Sequence, residues 1–211
     1  MTRLVVLISG RGSNLVAIAN AIERRELDAE IVAVISSRPQ ALGLEEARNR
    51  AIPALVVDHR DFDDRQEFDR ALAEKINEYR PDWVVLAGFM RILSAEFIAR
   101  FPACMTNIHP SLLPAYPGLE THKRALADGV SEHGATVHLV SNELDGGPVL
   151  GRVRVPLLAG DTEATLADRV LHQEHRLYPR VLQLLVSGRL RWDAECEALR
   201  LDGEGCDPVE I

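Results

Sequence analysis

The sequence predicts an α/β protein with a doubly wound, mostly parallel sheet and antiparallel additions in its C-terminal half. Two observations carry this. From Leu4 to Ala87, strand-length apolar runs alternate with segments of helical spacing, and those runs are apolar at every position, so helices must cover both faces of the sheet. After Ala135 the pattern changes to alternation along two consecutive strands, the mark of antiparallel pairing with one face buried.

The elements follow in order. Leu4 to Ile8 is the first strand and ends in Ser9-Gly10-Arg11-Gly12; Asn14 to Arg24 then places Leu15, Ile18, Ala19 and Ile22 on one helical stripe. Ile31 to Ile35 is a second strand, Gly43 to Arg50 a short helix and Ala54 to Val57 a third strand. Arg65 to Tyr79 spaces Phe68, Leu72, Ile76 and Tyr79 three or four apart, and Pro81 stops this helix before the strand Trp83 to Ala87. A helix at Ser94 to Phe101, a strand at Met105 to Ile108, a Pro-rich loop through Gly118 and a helix at Thr121 to Asp128 come next. The alternating strands Ala135 to Val140 and Pro148 to Pro156 precede a long helix from Thr162 to Val186, capped by Asp161 or Thr162, and a hairpin within Gly188 to Leu201. One domain over 1–202 and a flexible tail at 203–211 are expected.

Composition narrows the class. Hydrophobic residues at 46% and charged residues at 27% describe a globular chain with enough apolar surface for a core. No apolar run approaches the roughly 20 residues of a membrane span, and Leu4 to Ile8 is too short for a signal segment, so a cytoplasmic protein is expected. Cys104, Cys196 and Cys206 have neither the number nor the spacing of a disulfide framework or zinc site, and no metal is expected. The net charge of −8 argues against a general nucleic-acid surface and requires any anion site to be built locally.

Three constellations carry chemistry. Ser9 to Asn14 lies between a strand and a helix, where glycines permit close backbone approach and the helix start offers free N–H groups at a positive dipole end. It lacks the third glycine of a dinucleotide fingerprint and the Gly-Lys-Ser/Thr of an ATP loop. Read alone, it fits either one phosphate monoester held by Gly12, Ser13 and Asn14 or a plain turn with Ser13 or Asn14 as helix cap. Asn107 and His109 alternate along a strand end and point the same way, supplying an uncharged donor and a titratable one, although a structural histidine is the other reading. Asp145, in Ser141 to Pro148, is either a turn former or a carboxylate that favours the imidazolium of His109. His59, His122, His133, His138, His172 and His175 read as structural.

Taken together and in order, Gly10-Arg11-Gly12-Ser13-Asn14-Leu15, Leu86 to Ser94, Asn107-Ile108-His109-Pro110-Ser111-Leu112-Leu113-Pro114 and Leu144-Asp145-Gly146-Gly147-Pro148 resemble the folate-dependent formyltransferases and, among them, the phosphoribosylglycinamide formyltransferases of purine synthesis. The likeness runs from Leu4 to about Leu201. It implies a Rossmann-like formyltransferase fold and transfer of formyl from 10-formyltetrahydrofolate, a cosubstrate, to the amine of 5-phosphoribosylglycinamide. It implies that Gly12, Ser13 and Asn14 hold the substrate phosphate and that Glu174 contacts the same substrate. Arg65, Met90, Arg91, Ile92, Leu93, Asn107, Ser141, Asn142, Glu143, Leu144 and Asp145 would meet the folate, with Asn107, His109 and Asp145 the catalytic set. Arg11 stands where some relatives have Asn and Leu171 where some have a polar contact. Small-molecule partners are expected, with no nucleic acid and no membrane, in a monomer or homodimer.

Other acceptors define the alternatives: water in a deformylase, a sugar amine, or initiator methionyl-tRNA. The tRNA enzyme is expected to carry a further RNA-binding domain after Leu201 and the deformylase a regulatory one before Leu4. A non-catalytic nucleotide-binding module would have no need of Asn107, His109 and Asp145 together.

Overall fold

In β1 (Thr2–Ile8) the run Leu4 to Ile8 is fully buried, as a strand covered on both faces requires. It pairs in parallel with β2 (Ala29–Ser36) on one side and β4 (Trp83–Leu86) on the other. β3 (Ala54–Val56) adds outside β2, and β5 (Met105–His109) pairs with β4 through Val84↔Met105 and Leu86↔Asn107. The order β5-β4-β1-β2-β3 is therefore all parallel. Helices α1 (Ser13–Glu23), α2 (Gly43–Asn49), α3 (Arg65–Glu78) and α4 (Ala95–Ala99) make the connections. α3 buries Phe68, Leu72 and Ile76, the stripe its spacing predicts, and Asp64 caps it by accepting from the Gln66 and Glu67 N–H groups.

The computed structural model describes all residues from Met1 to Ile211. Where one domain over 1–202 is expected, the chain divides into two compact units, Met1–Asn107 and Ile108–Ile211.

The second unit is built on the antiparallel pair β6 (Glu132–Leu139) and β7 (Val149–Pro156), as the alternation predicts. α5 (Thr121–Asp128) precedes β6, and the long α6 (Glu163–Val186) packs on both strands. α6 buries Leu166, Val170, Leu177, Val181 and Leu184; Thr162, not Asp161, is its cap, in a capping box with Thr165. Glycine is imposed at two places in the hairpin: a Cβ on Gly134 would stand 1.9 Å from the Val153 carbonyl oxygen, and one on Gly147 1.8 Å from that of Leu139.

The predicted terminal hairpin is β8 (Leu190–Asp193) with β9 (Ala198–Leu201), and β10 (Glu204–Gly205) extends it to three antiparallel strands. The segment 203–211, expected as a flexible tail, thus carries β10 and then β11 (Val209–Glu210), which pairs in parallel with β7 through Val209↔Gly151 and Glu210↔Arg152.

Candidate active site

The chain runs outward from β1 through β2 to β3, then returns to β4 on the other side of β1. The carboxyl ends of β1 and β4 lie where the strand order reverses, the position at which open α/β sheets bind ligands. After β1, Gly12 adopts a left-handed conformation (φ 77°) and is the N-cap of α1 with no side-chain bond to the first turn. A Cβ there would stand 2.7 Å from Gly43 Cα, and one on Gly43 2.6 Å from Ile8 Cδ1. The Gly43 N–H donates to the Gly10 carbonyl at 3.1 Å, so two glycine backbones pack directly on each other. Ser13 and Asn14 are the first residues of α1 and not its cap. Gly12 itself has no side chain to cap the first turn of α1, which stands at the positive end of the helix dipole. Asn14 is buried, Ser13 half-buried and Arg11 exposed.

Beyond β4 the segment 88–94 is irregular, with Met90, Arg91 and Ile92 exposed and Leu93 buried. Arg65 opens α3, exposed, with its Nε 3.9 Å from Oδ2 of the buried Asp69.

The titratable centre of the second unit is His109. Its Nδ1 lies 3.4 Å from Asp145 Oδ2, and its Nε2 lies 2.9 Å from the Tyr116 carbonyl oxygen. Both neighbours are acceptors, a carboxylate on the Nδ1 side and a backbone carbonyl on the Nε2 side. Asp145 sits at φ 52° in a turn closed by the Gly146 N–H on the Glu143 carbonyl at 3.2 Å. This left-handed placement, tolerable for Asp, turns its carboxylate back: Oδ2 also accepts from the Gly118 N–H at 2.8 Å. The carboxylate is thus both a charge beside His109 and a clip on the loop that starts at Pro110.

His138 occupies the other side of the same carboxylate, Nε2 3.8 Å from Oδ1. Burial holds its imidazole below the ordinary histidine range, and the charge of His109 acts in the same direction, against the Leu139 carbonyl and Asp145. Its Nδ1 is 2.9 Å from the Leu139 carbonyl and so carries the proton of the neutral ring, leaving Nε2 with none to donate.

Asn107 and His109 both fall in β5, two residues apart and on one face. Ser141 Oγ stands 3.3 Å from both the Glu143 N–H and the Glu143 carbonyl, which shapes the exposed run Asn142, Glu143 and Leu144. Glu174 is buried on α6. No three His, Cys, Asp or Glu side chains gather in a metal-holding group, and no helix is long and apolar enough to cross a membrane.

Comparison with known proteins now decides the family. The family model described as Formyl transferase matches residues 2–182, a span that runs through both units. The chain belongs to the formyl transferase family. Within the family it is 47% identical to the phosphoribosylglycinamide formyltransferase of Escherichia coli K12 over 97% of this chain and 96% of that one. It is 43% identical to part of the human trifunctional purine biosynthetic protein adenosine-3, over 90% of this chain and 19% of the longer protein. Among solved structures, a Coxiella burnetii phosphoribosylglycinamide formyltransferase superimposes with a TM-score of 0.94 at 43% identity, over 100% of this chain and 99% of that one.

Strand alternation put Asn107 and His109 on one face with a structural histidine as the other reading, and the catalytic set came from the family resemblance. Three groups that contact His109 or Asp145 escaped that reading. His138 reads as a core residue of an alternating strand, whereas the Tyr116 carbonyl and the Gly118 N–H are backbone groups that residue type does not mark.

Proposed function

We propose that this chain transfers the formyl group of 10-formyltetrahydrofolate to the amine of 5-phosphoribosylglycinamide, as a cytoplasmic enzyme that is a monomer or homodimer. The end-to-end match to phosphoribosylglycinamide formyltransferases carries the reading; the geometry around His109 supports its chemistry. The substrate amine is a competent nucleophile and attacks the formyl carbon directly. The carbonyl π electrons move to oxygen and give a tetrahedral oxyanion. The Asn107 amide and the His109 Nε2–H donate to it; one such donor is worth roughly 3–4 kcal/mol in the transition state. As the C–N bond to folate breaks, a proton passes from the attacking amine to the leaving nitrogen, through His109 or a water. Asp145 favours the imidazolium throughout, being the one carboxylate paired with that ring.

The remaining assignments follow the same reading. The first turn of α1 takes the substrate phosphate at the positive end of the helix dipole, through Gly12, Ser13 and Asn14. Glu174 contacts the nucleotide. Arg65, Met90 to Leu93, Asn107 and Ser141 to Asp145 contact the folate. The Tyr116 carbonyl, 2.9 Å from Nε2, is the group that yields its place to the formyl oxygen.

The deciding experiment mixes the protein with 10-formyltetrahydrofolate and 5-phosphoribosylglycinamide and follows the deformylated folate by absorbance, with a control lacking the amine. Turnover that depends on the amine is the expected result. Equal turnover without it would make the chain a formyl-folate hydrolase and leave the phosphate assignment without a purpose.

A further inference from the structure

The β1–β4 ladder continues past the ends of both strands. The Ala87 N–H donates to the Leu7 carbonyl at 2.9 Å, and the Ser9 N–H to the Gly88 carbonyl at 3.1 Å. Gly88 then turns left-handed, with φ 77°, and carries the chain out of the ladder. Met90 has lost its ladder acceptor, and its N–H donates instead to the Ser9 side-chain oxygen at 2.9 Å. Ser9 is 6% exposed, and its Oγ lies 2.8 Å from that of Ser37, 1% exposed. A hydroxyl has one proton and two lone pairs, so accepting from Met90 is compatible with either direction of the Ser9–Ser37 bond. At the far end of the segment, the Ser94 N–H donates at 2.7 Å to Oδ2 of Asp69, 3% exposed on α3. Between these two anchors Met90 and Ile92 are 61% and 62% exposed.

We propose that Ser9 is a positioning residue for the formyl donor. Its buried hydroxyl fixes the 88–94 segment at its entry, as Asp69 does at its exit, so that Met90 and Ile92 meet the donor in one conformation. This rests on the reading that Met90 to Leu93 contact the folate. Ser9 touches no reacting atom and acts through the Met90 amide. A strap held in its binding conformation before the ligand arrives has less freedom to lose on binding, which strengthens binding of the group it contacts.

The test uses the full chain with Ser9→Ala, Ser9→Thr and Ile92→Ala, varying 10-formyltetrahydrofolate and 5-phosphoribosylglycinamide in turn and following amide exchange at Met90. Ser9→Ala should raise KM for the donor roughly five- to tenfold, as expected when a part-buried N–H loses its acceptor. KM for the amine substrate should stay within about twofold, a split that general loosening of the fold would not produce. The Met90 amide should exchange faster in Ser9→Ala, and Ser9→Thr, which keeps the oxygen, should restore both readouts. Equal rises in both KM values, or unchanged Met90 exchange, would overturn the proposal. Ile92→Ala separates the two layers. If it raises the donor KM and Ser9→Ala does not, the proposal fails and the folate reading stands; if Ile92→Ala leaves the donor KM unchanged, the folate reading falls and takes the proposal with it.

Discussion

His109 Nδ1 and Asp145 Oδ2 stand 3.4 Å apart, and the same carboxylate oxygen takes the Gly118 N–H at 2.8 Å. One atom therefore faces the His109 ring and holds a backbone amide, and substitution can separate the two contacts. Asp145→Asn keeps an oxygen for Gly118 while removing the charge from His109. Turnover should fall roughly ten- to hundredfold with the loop still held. Asp145→Ala removes both, so proteolytic cutting within 110–118 should also accelerate. His109→Ala should cost roughly 10²–10³-fold in kcat. Steady-state kinetics with limited proteolysis checks the set. Equal cutting of the Asn and Ala variants would show that the Gly118 contact does not hold the loop.

Gly12 and Gly43 make a second prediction. The Gly12 φ of 77° and the 2.7 Å approach of its virtual Cβ to Gly43 Cα leave no room for a methyl group. Gly12→Ala should destabilise the fold by about 1–3 kcal/mol and weaken binding of the phosphorylated substrate more than of the folate. Gly43→Ala meets Ile8 Cδ1 at 2.6 Å and Gly12 Cα at 3.1 Å, and should reproduce the binding defect without touching the sequence of the Ser9 to Asn14 loop. Urea unfolding and the two KM values decide. Normal binding in Gly43→Ala would mean that the glycine–glycine contact does not shape the loop.

What the sequence could and could not reveal follows from the range of each interaction. The parallel strands were legible because continuous apolar runs such as Leu4 to Ile8 have few other destinations. Asn107 and His109 were legible as a pair because strand alternation is a two-residue rule. Asp145 and His138 lie seven positions apart, and nothing local in either residue says that a turn with Asp145 at φ 52° folds its carboxylate back toward the strand. The plain-turn alternative for Ser9 to Asn14, with Ser13 or Asn14 as helix cap, meets a related limit. Ser13 and Asn14 have capping side chains, but the left-handed Gly12 starts the helix one residue earlier and leaves them inside it. The strand Val209–Glu210 has two residues, too few for any period, and exists because β7 offers an open edge.

His133 supplies the last prediction, a pH dependence of stability. Its imidazole is 1% exposed, with its ring centroid 5.2 Å from that of His122 and 5.9 Å from that of Tyr116, both edge-on. Burial, chiefly, then the neighbouring charge of His122, pushes it down to about 4 from the ordinary 6.5, against the weaker pull of the Pro110 backbone. The unfolded chain therefore takes up this proton first. Stability from the neutral buried ring is complete above pH 6.5 and is lost as the pH falls from there toward about 4. Between pH 7 and 5 this one group should cost on the order of 2 kcal/mol. His122, also lowered by burial, adds to the loss in the same direction. His133→Phe keeps an aromatic ring and removes the titration, so its unfolding free energy should fall less over that interval than that of the wild-type protein. Urea denaturation at both pH values measures the difference. Parallel losses in the two proteins would assign the acid sensitivity to other groups and remove His133 from the account.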